Sequence, residues 1–236
     1  MPEIQIPTPR DFSFDRTVRS HGWFDLAPFA YDEAASTLAF AYATPAGVVS
    51  VSVRARGRVL VASVSGRSGA AAADVVRTVL RLDHDLAPLR AALARDAALV
   101  ACVDAGGGRL MRAPTVFEDV VKMLCTTNCS WGLTRVMVER LVTKAGAPGP
   151  RGARAFPTPE ALARKPVAFF RDAVHAGYRA PYLKALATRV ARGELDLESL
   201  RDPALPSEDV YARLRSIVGI GPYAADNLMR DRKSVV

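Results

Sequence analysis

The hydrophobic pattern of this chain changes its period once, and this change limits the folds that the chain can adopt. In the early stretch "VVSVSVRA", valines from Val49 to Val53 alternate with serines, as in an antiparallel sheet with one covered face. From Pro114 onward, apolar residues recur with the period of an α-helix. The sequence therefore predicts an α+β fold, in which a small N-terminal antiparallel β-sheet with helices packs on an all-α body.

The N-terminal strands are separated by turn signals. "TLAFAYAT" and "VVSVSVRA" are joined by Pro45-Ala46-Gly47, and "VVSVSVRA" is joined to "RVLVASVS" around Gly57. The next stretch, "AAAADVVRTVL", has the spacing of a helix. We expect one domain over residues 1–112, which contains the sheet and its helices, and a second, helical domain over residues 113–236.

Helices of the second domain are predicted from apolar stripes and from capping residues. Pro181 fits the first turn of one helix and Gly193 its end, whereas Ser207 fits the N-cap of a later helix. The two clearest apolar stripes are Phe117, Val120, Val121 and Leu124, and then Leu133, Val136, Met137 and Leu141.

Composition excludes several classes of protein. Half of the 236 residues are apolar, so the chain can bury a sizeable core. It contains no apolar run of the length of a membrane span, and its first residues do not form a signal peptide. We therefore expect a cytoplasmic protein, associated with the bacterial nucleoid if it binds DNA, with no membrane partner.

Cysteine and histidine spacing argues against a metal site. Cys102, Cys125 and Cys129 lack the spacing of a metal motif or a disulfide framework, and the three histidines lie far apart in the sequence. We expect the cysteines to be small apolar core residues, and we expect neither a metal nor another cofactor.

Positive charge is concentrated in the second half of the chain. Residues 1–112 contain 13 Lys and Arg against 11 Asp and Glu, whereas residues 113–236 contain 19 against 13. A basic region of this kind favours a polyanionic partner, most often a nucleic acid.

The segment Gly219-Ile220-Gly221-Pro222-Tyr223-Ala224 matches the pattern G-x-G-x-x-A of a dinucleotide-binding loop. Such a loop requires a strand before its first glycine and a βαβ unit around it. Here the preceding residues have helical periodicity and no parallel strands follow. The pattern therefore argues against a nucleotide loop.

Two interpretations of this segment remain. Glycine at the end of one helix and proline at the start of the next is ordinary punctuation of a helical corner. Alternatively, Gly219 and Gly221 permit a tight turn with positive backbone angles, after which free N–H groups of the next helix bind a phosphate. In that case Ile220 is the apolar tip that holds the turn against the body.

Three motifs in the same order resemble the helix-hairpin-helix (HhH-GPD) DNA glycosylase superfamily, in its 8-oxoguanine and 3-methyladenine branch. They are "GGGRLMRAPTVFEDVVKMLCTTNCSWGLTRVMVERLV", "AGYRAPYLKALA" and the hairpin "VGIGPYAAD". The stretches "SHGWFDLAPF" and "LDHDLAPL" are similar to the N-terminal part of these proteins. The resemblance is patchy but extends over nearly the whole chain.

This resemblance implies a monomeric base-excision repair enzyme that binds damaged double-stranded DNA. It flips out an oxidised or alkylated purine nucleotide and hydrolyses its N-glycosidic bond. Tyr178 matches the wedge that fills the vacated space, and Arg179 and Asn128 match residues that contact the orphaned partner base. The hairpin residues assigned to DNA binding are Gly219, Ile220, Gly221, Tyr223 and Ala224.

The chain departs from the family pattern in two ways. Tyr223 occupies the position of the lysine that forms a Schiff base in bifunctional members, so a monofunctional enzyme with little lyase activity is expected. The family's catalytic aspartate, which follows the second hairpin helix, is not found, since Asp226 matches a different aspartate and Asp231 comes too early. The catalytic residue therefore stays unknown.

The final residues "DRKSVV" do not resemble the family and match one reading frame of a common sequencing adapter. We therefore expect the native chain to continue after about Arg230, with the catalytic aspartate in the part that follows. This expectation leaves open the activity of the chain as it stands.

Two other functions compete with a glycosylase. Helix-hairpin-helix segments also anchor proteins to DNA without chemistry, and an all-helical body can serve as a scaffold. The stretches "CTTN" and "GYRA" argue against a plain anchor, because an anchor needs neither a wedge nor a reader of the partner base. The basic second half argues against a scaffold without a nucleic-acid partner.

Overall fold

The computed structural model describes residues 3–66 and 69–230. These residues form two compact units. The first contains the described residues up to Pro114 together with Pro148–Ala155, and the second contains Thr115–Ala147 and the described residues from Phe156 onward. The division into domains at residue 112 stays a prediction, and the expectation for residues 231–236 lies outside the described part of the chain.

The first unit contains a five-stranded antiparallel sheet, which confirms the predicted α+β class. Valines from Val49 to Val53 face the core, as their alternation predicts. The sequence does not predict the two edge strands, because each is too short to show a clear alternation of apolar and polar residues. The strands are β1 (Glu3–Pro7), β2 (Ala30–Asp32), β3 (Thr37–Thr44), β4 (Gly47–Arg56) and β5 (Val59–Ser65). Their order across the sheet is β1-β5-β4-β3-β2.

In its described residues, the first unit also contains four α-helices: α1 (Phe14–Val18), α2 (Gly69–Leu80), α3 (Ala87–Ala92) and α4 (Ala97–Asp104). Helix α2 contacts β4 and β5 and buries Val76, Val79 and Leu80. Together with half-buried Val75, these positions form the apolar stripe that predicts the helix.

Pro148–Ala155 packs on the sheet of the first unit. Ala155 is buried in a cluster with Ala41 of β3 and Val48 of β4, and Ala153 packs against this cluster. A Cβ atom at Gly149 would lie 2.4 Å from Val48 Cγ1, so only glycine fits there. The contact is therefore close enough to exclude a larger residue.

Within the described residues, the second unit contains six helices and short helical turns at Phe169–Ala173, Gly177–Arg179 and Glu198–Arg201. No helix in residues 3–66 and 69–230 combines the length and the apolar character needed to cross a bilayer. The helices are α5 (Val116–Thr126), α6 (Trp131–Ala145), α7 (Pro159–Ala163), α8 (Ala180–Ala191), α9 (Ser207–Arg215) and α10 (Pro222–Arg230).

Helix α5 is buried on all sides, including its charged residues. Lys122 is fully buried, and its Nζ atom lies 2.6 Å from Oε1 of buried Glu118. Asp119, also buried, pairs with Arg201 at 3.6 Å. Glu198 accepts hydrogen bonds from the backbone N–H of Val116 and of Phe117, at the start of the helix. Because α5 ends at Thr126, this core supports the loop that follows it.

The stripe on α6 correctly predicts a helix, although only part of it is buried, whereas the prediction that Ser207 caps α9 is wrong. On α6, Met137 and Leu141 are buried, but Leu133 and Val136 are 39% and 38% exposed. The apolar stripe is therefore only half covered. Ser207 is the first residue of α9 and caps nothing with its side chain, because Pro206 occupies the N-cap position.

The predicted ends of α8 are confirmed. Pro181 lies in its first turn, where the missing N–H has no consequence. Gly193 follows the C-cap residue with a φ of +72°, the left-handed conformation in which glycine is favoured after a helix.

Candidate nucleic-acid interface

The turn at residues 216–221, which joins α9 to α10, depends on one glycine. Gly219 has a φ of +93°. A Cβ atom there would lie 2.7 Å from Tyr182 Cδ2 and 2.9 Å from Leu124 Cδ2, which is closer than atoms can approach. Both the backbone angle and the space therefore require glycine.

Gly221 does not share this role, which corrects the expectation of positive angles at both glycines. Its φ is not positive, and a Cβ atom added there would contact nothing within 4 Å. It precedes Pro222, and a residue before proline is restricted to extended conformations. Only Gly219 therefore supplies the left-handed step of the turn.

Ile220 holds the turn against the second unit. Its side chain is buried, as expected of an apolar tip, and its N–H donates to the carbonyl of Ile217 at 3.0 Å. The Arg215 guanidinium donates to the Ile220 carbonyl at 2.9 Å. These contacts fix the turn without using the neighbouring amides.

Several amide groups in this turn and at the start of α10 are open to a ligand. The first backbone bond of α10 runs from Ala225 N–H to the Gly221 carbonyl. Among the described residues, the N–H groups of Gly219, Gly221 and Tyr223 have no protein acceptor, and none of these residues is buried. Ala224 also has no acceptor, but it is buried. Free amides at a helix N-terminus attract anions.

A second group of predicted residues meets beside the end of α5. Thr127, Asn128, Tyr178 and Arg179 form what we call the Tyr178 cluster. The Tyr178 hydroxyl lies 3.4 Å from Asn128 Nδ2 and donates to the Thr127 carbonyl at 3.4 Å. Asn128 is exposed and has a φ of +45°, which asparagine tolerates better than most residues. The Tyr178 ring is 51% exposed.

Arg179 is the buried support of this cluster. Its Nε donates to Thr127 Oγ1 at 3.2 Å, and its Nη2 donates to the Thr127 carbonyl. The guanidinium carbon lies 4.5 Å from the centre of the Tyr178 ring, in a cation–π arrangement. Arg179 therefore orients the exposed ring, and in this structure its donors face the protein.

Tyr182 connects the Tyr178 cluster to the turn, and the sequence does not single it out. Its ring packs edge-on against the Tyr178 ring, with centroids 6.1 Å apart, and its Cδ2 blocks the Cβ position of Gly219. The spacing of four residues from Tyr178 is the signal that could have indicated it. The predicted DNA-contacting residues thus lie in the Tyr178 cluster, in the 216–221 turn or at the start of α10, which follows the turn directly.

Among the described residues of this area, we assign no acid or nucleophile as a catalytic group. Asp226 is exposed on α10, and Asp231 lies outside the described residues. Burial raises the pKa of the Cys125 thiol to about 12, so that thiol stays protonated. Within the described chain, no group of three or more His, Cys, Asp or Glu is placed to hold a metal ion.

Sequence comparison finds no related protein, whereas comparison of structures finds several proteins of similar fold. Neither a protein-family model nor a curated protein sequence matches the chain. The 8-oxoguanine glycosylase/lyase of Clostridium acetobutylicum in its apo-form superposes with a TM-score of 0.76 at 23% identity, over 97% of this chain and 77% of that one. MBOgg1, in complex with a low-affinity DNA ligand, gives 0.75 at 22% identity, over 96% and 75%.

The 3-methyladenine DNA-glycosylase of Archaeoglobus fulgidus is equally similar, with a TM-score of 0.76 at 18% identity, over 96% of this chain and 78% of that one. This chain has the DNA glycosylase fold. The resemblance predicted from three motifs is thereby confirmed at the level of the fold, which covers nearly the whole chain.

In this chain, the Tyr178 cluster and the 216–221 turn both lie in the second compact unit. Tyr223 is 73% exposed at the start of α10, so its side chain is accessible to a ligand that approaches the free amides. The roles of Asn128, Tyr178, Arg179, Gly219, Ile220, Gly221, Tyr223 and Ala224 in DNA binding stay predictions.

Proposed function

We propose that this protein is a DNA glycosylase of base-excision repair, which binds duplex DNA, flips out a damaged purine nucleotide and hydrolyses its N-glycosidic bond. The observation that carries this proposal is the exposed Tyr178 ring, held by Arg179 and Asn128 next to a turn with free amides. A protein that only anchors itself to DNA needs the turn but not the ring.

Helices α9 and α10 form the helix-hairpin-helix element in this proposal. The N–H groups of Gly219, Gly221 and Tyr223 donate to phosphate oxygens of one DNA strand, and the N-terminus of α10 adds its dipole. Such contacts are independent of base identity, so they position the protein along the duplex and leave recognition to other groups.

Tyr178 is the wedge in this proposal. When a nucleotide leaves the stack, an aromatic ring that enters the gap stacks on the neighbouring bases. Exposed Asn128 is better placed than Arg179 to hydrogen-bond the orphaned base, because Arg179 already donates to Thr127. Arg179 contributes by holding the ring, and it reaches the base only if it releases Thr127.

The substrate class is a damaged purine, either oxidised or alkylated. One structural relative acts on 8-oxoguanine and another on 3-methyladenine, at similar TM-scores, so the fold favours neither. No described residue is assigned as the carboxylate that assists hydrolysis, because Asp226 is exposed on α10 outside the Tyr178 cluster.

We expect this protein to bind a duplex with an abasic-site analogue more tightly than an undamaged duplex, because the vacated position accepts Tyr178 without the cost of unpairing a base. Titration of labelled duplexes at several salt concentrations measures both affinities, and both should fall steeply with salt because phosphate contacts release counterions. Equal affinity for the two duplexes favours the non-catalytic DNA anchor instead.

We also expect a monofunctional enzyme, because a phenol at Tyr223 cannot form the imine on which lyase chemistry depends. Incubation with a natural abasic duplex and sodium borohydride should leave no covalent protein–DNA adduct. The glycosylase/lyase of Clostridium acetobutylicum is the positive control under the same conditions. A trapped adduct of this protein at an internal lysine contradicts the proposed monofunctional mechanism.

A further inference from the structure

Tyr182 lies between the two groups of the proposed DNA interface and contacts both. On one side its ring packs edge-on against Tyr178, at an interplanar angle of 75°. On the other side, its Cδ2 and Cγ lie 2.7 Å and 3.2 Å from the position of a Cβ atom on Gly219. The ring is therefore held between the wedge and the backbone of the phosphate-binding turn.

The surroundings of Tyr182 indicate that the ring, rather than the hydroxyl, is important. Its neighbours on α8, Leu183 and Leu186, are fully buried, whereas Tyr182 is only half-buried. In residues 3–66 and 69–230 the Tyr182 hydroxyl forms no hydrogen bond with the protein. A flat, rigid ring that packs against glycine transmits a displacement more directly than a flexible aliphatic chain.

Gly219 also packs against Leu124 of α5, in addition to Tyr182. Leu124 Cδ2 lies 2.9 Å from the same Cβ position of Gly219, and the Leu124 carbonyl accepts a hydrogen bond from Thr127 Oγ1 at 2.9 Å. Thr127 in turn accepts from Tyr178 and Arg179. The turn therefore contacts both the ring beside Tyr178 and helix α5, whose C-terminal end leads into the hydrogen-bond partners of Tyr178.

We propose that Tyr182 is a positioning residue that couples the phosphate-binding turn to the Tyr178 wedge. The ring sets the distance between the gripped phosphate and the inserted wedge, so that Tyr178 enters the stack at one defined nucleotide position. This inference rests on the proposed function and adds to it a residue that touches neither the phosphate nor the damaged base.

The test compares three variants at one position. Tyr182→Phe keeps the ring and loses only a hydroxyl, whereas Tyr182→Leu and Tyr182→Met keep apolar bulk but lose the aromatic plane. For each variant, affinities for the abasic-analogue duplex and for the undamaged duplex are measured, and their ratio gives the lesion preference. Thermal unfolding of each variant confirms that it folds, and two aliphatic variants guard against the failure of one.

Tyr182→Phe should keep the wild-type lesion preference. Tyr182→Leu and Tyr182→Met should lower it about three- to tenfold, the range of an aromatic pair contact, while affinity for undamaged duplex stays unchanged. A 2-aminopurine base beside the abasic analogue reports insertion of Tyr178 directly. Its fluorescence change should shrink in the two aliphatic variants and persist in Tyr182→Phe.

The outcomes separate the inference from the function on which it rests. Wild-type protein without lesion preference overturns both. Wild-type preference that persists in folded Tyr182→Leu and Tyr182→Met overturns the positioning role and leaves the proposed function standing. An equal loss of affinity for both duplexes also overturns it, because Tyr182 then supports only the turn.

Discussion

Replacing Lys122 by alanine should lower the free energy of unfolding by about 3–5 kcal/mol, the range for removing one partner of a buried ion pair. Lys122 is fully buried, and its ammonium nitrogen lies 2.6 Å from a Glu118 carboxylate oxygen. Urea denaturation followed by circular dichroism measures the change. Lys144→Ala, at an exposed position on α6, is the matched control and should change stability by less than about 0.5 kcal/mol.

The simultaneous replacement Glu118→Leu with Lys122→Met should recover most of this loss. Burial raises the pKa of Glu118 even though the Lys122 ammonium lowers it, so desolvation disfavours the carboxylate by more than the partner stabilises it. An apolar pair of similar volume avoids that penalty. A decrease in the free energy of unfolding of less than about 1 kcal/mol for Lys122→Ala alone contradicts a buried Glu118–Lys122 ion pair.

Replacing Tyr178 by alanine should remove the preference for an abasic-analogue duplex, a loss on the order of tenfold or more, because stacking of one base on an aromatic ring contributes about 1–3 kcal/mol. The ring is exposed and is held by the Arg179 guanidinium on one face. Affinity for undamaged duplex should change little, since the amides of the 216–221 turn are untouched.

Tyr178→Phe is the matched control for this prediction. It keeps the stacking ring and loses only the long hydroxyl contacts to Thr127 and Asn128, so most of the preference should remain. The same pair of titrations, with intact and abasic-analogue duplexes, measures all three proteins. An unchanged preference in Tyr178→Ala removes this residue from the wedge role.

Helix α5 shows what the sequence could and could not predict. Its apolar stripe correctly predicts a helix, which Thr115 caps at its N-terminus in the structure. The same amphipathic pattern suggests that Glu118, Asp119 and Lys122 face water, yet all three are buried. The periodicity of apolar residues shows which face of a helix is apolar. It does not show whether other parts of the chain pack against the opposite, polar face.

The candidate site was predictable in its residues but not in its connections. Asn128, Tyr178 and Gly219 carry family-like motifs, and the structure places them in two adjoining groups. Tyr182 escaped notice because a tyrosine at helical spacing is typical of a core position. Its contact with Gly219 joins residues far apart in the sequence, and only the folded chain reveals such a pair.

The packing of Pro148–Ala155 on β3 and β4 determines how this protein can be divided. Because Ala153 and Ala155 cover Ala41 and Val48, the first unit is assembled from two separate stretches of chain. The polypeptide leaves that unit, returns to it and leaves again. No single cut separates the two units intact, and a fragment that stops near residue 112 leaves part of its sheet uncovered.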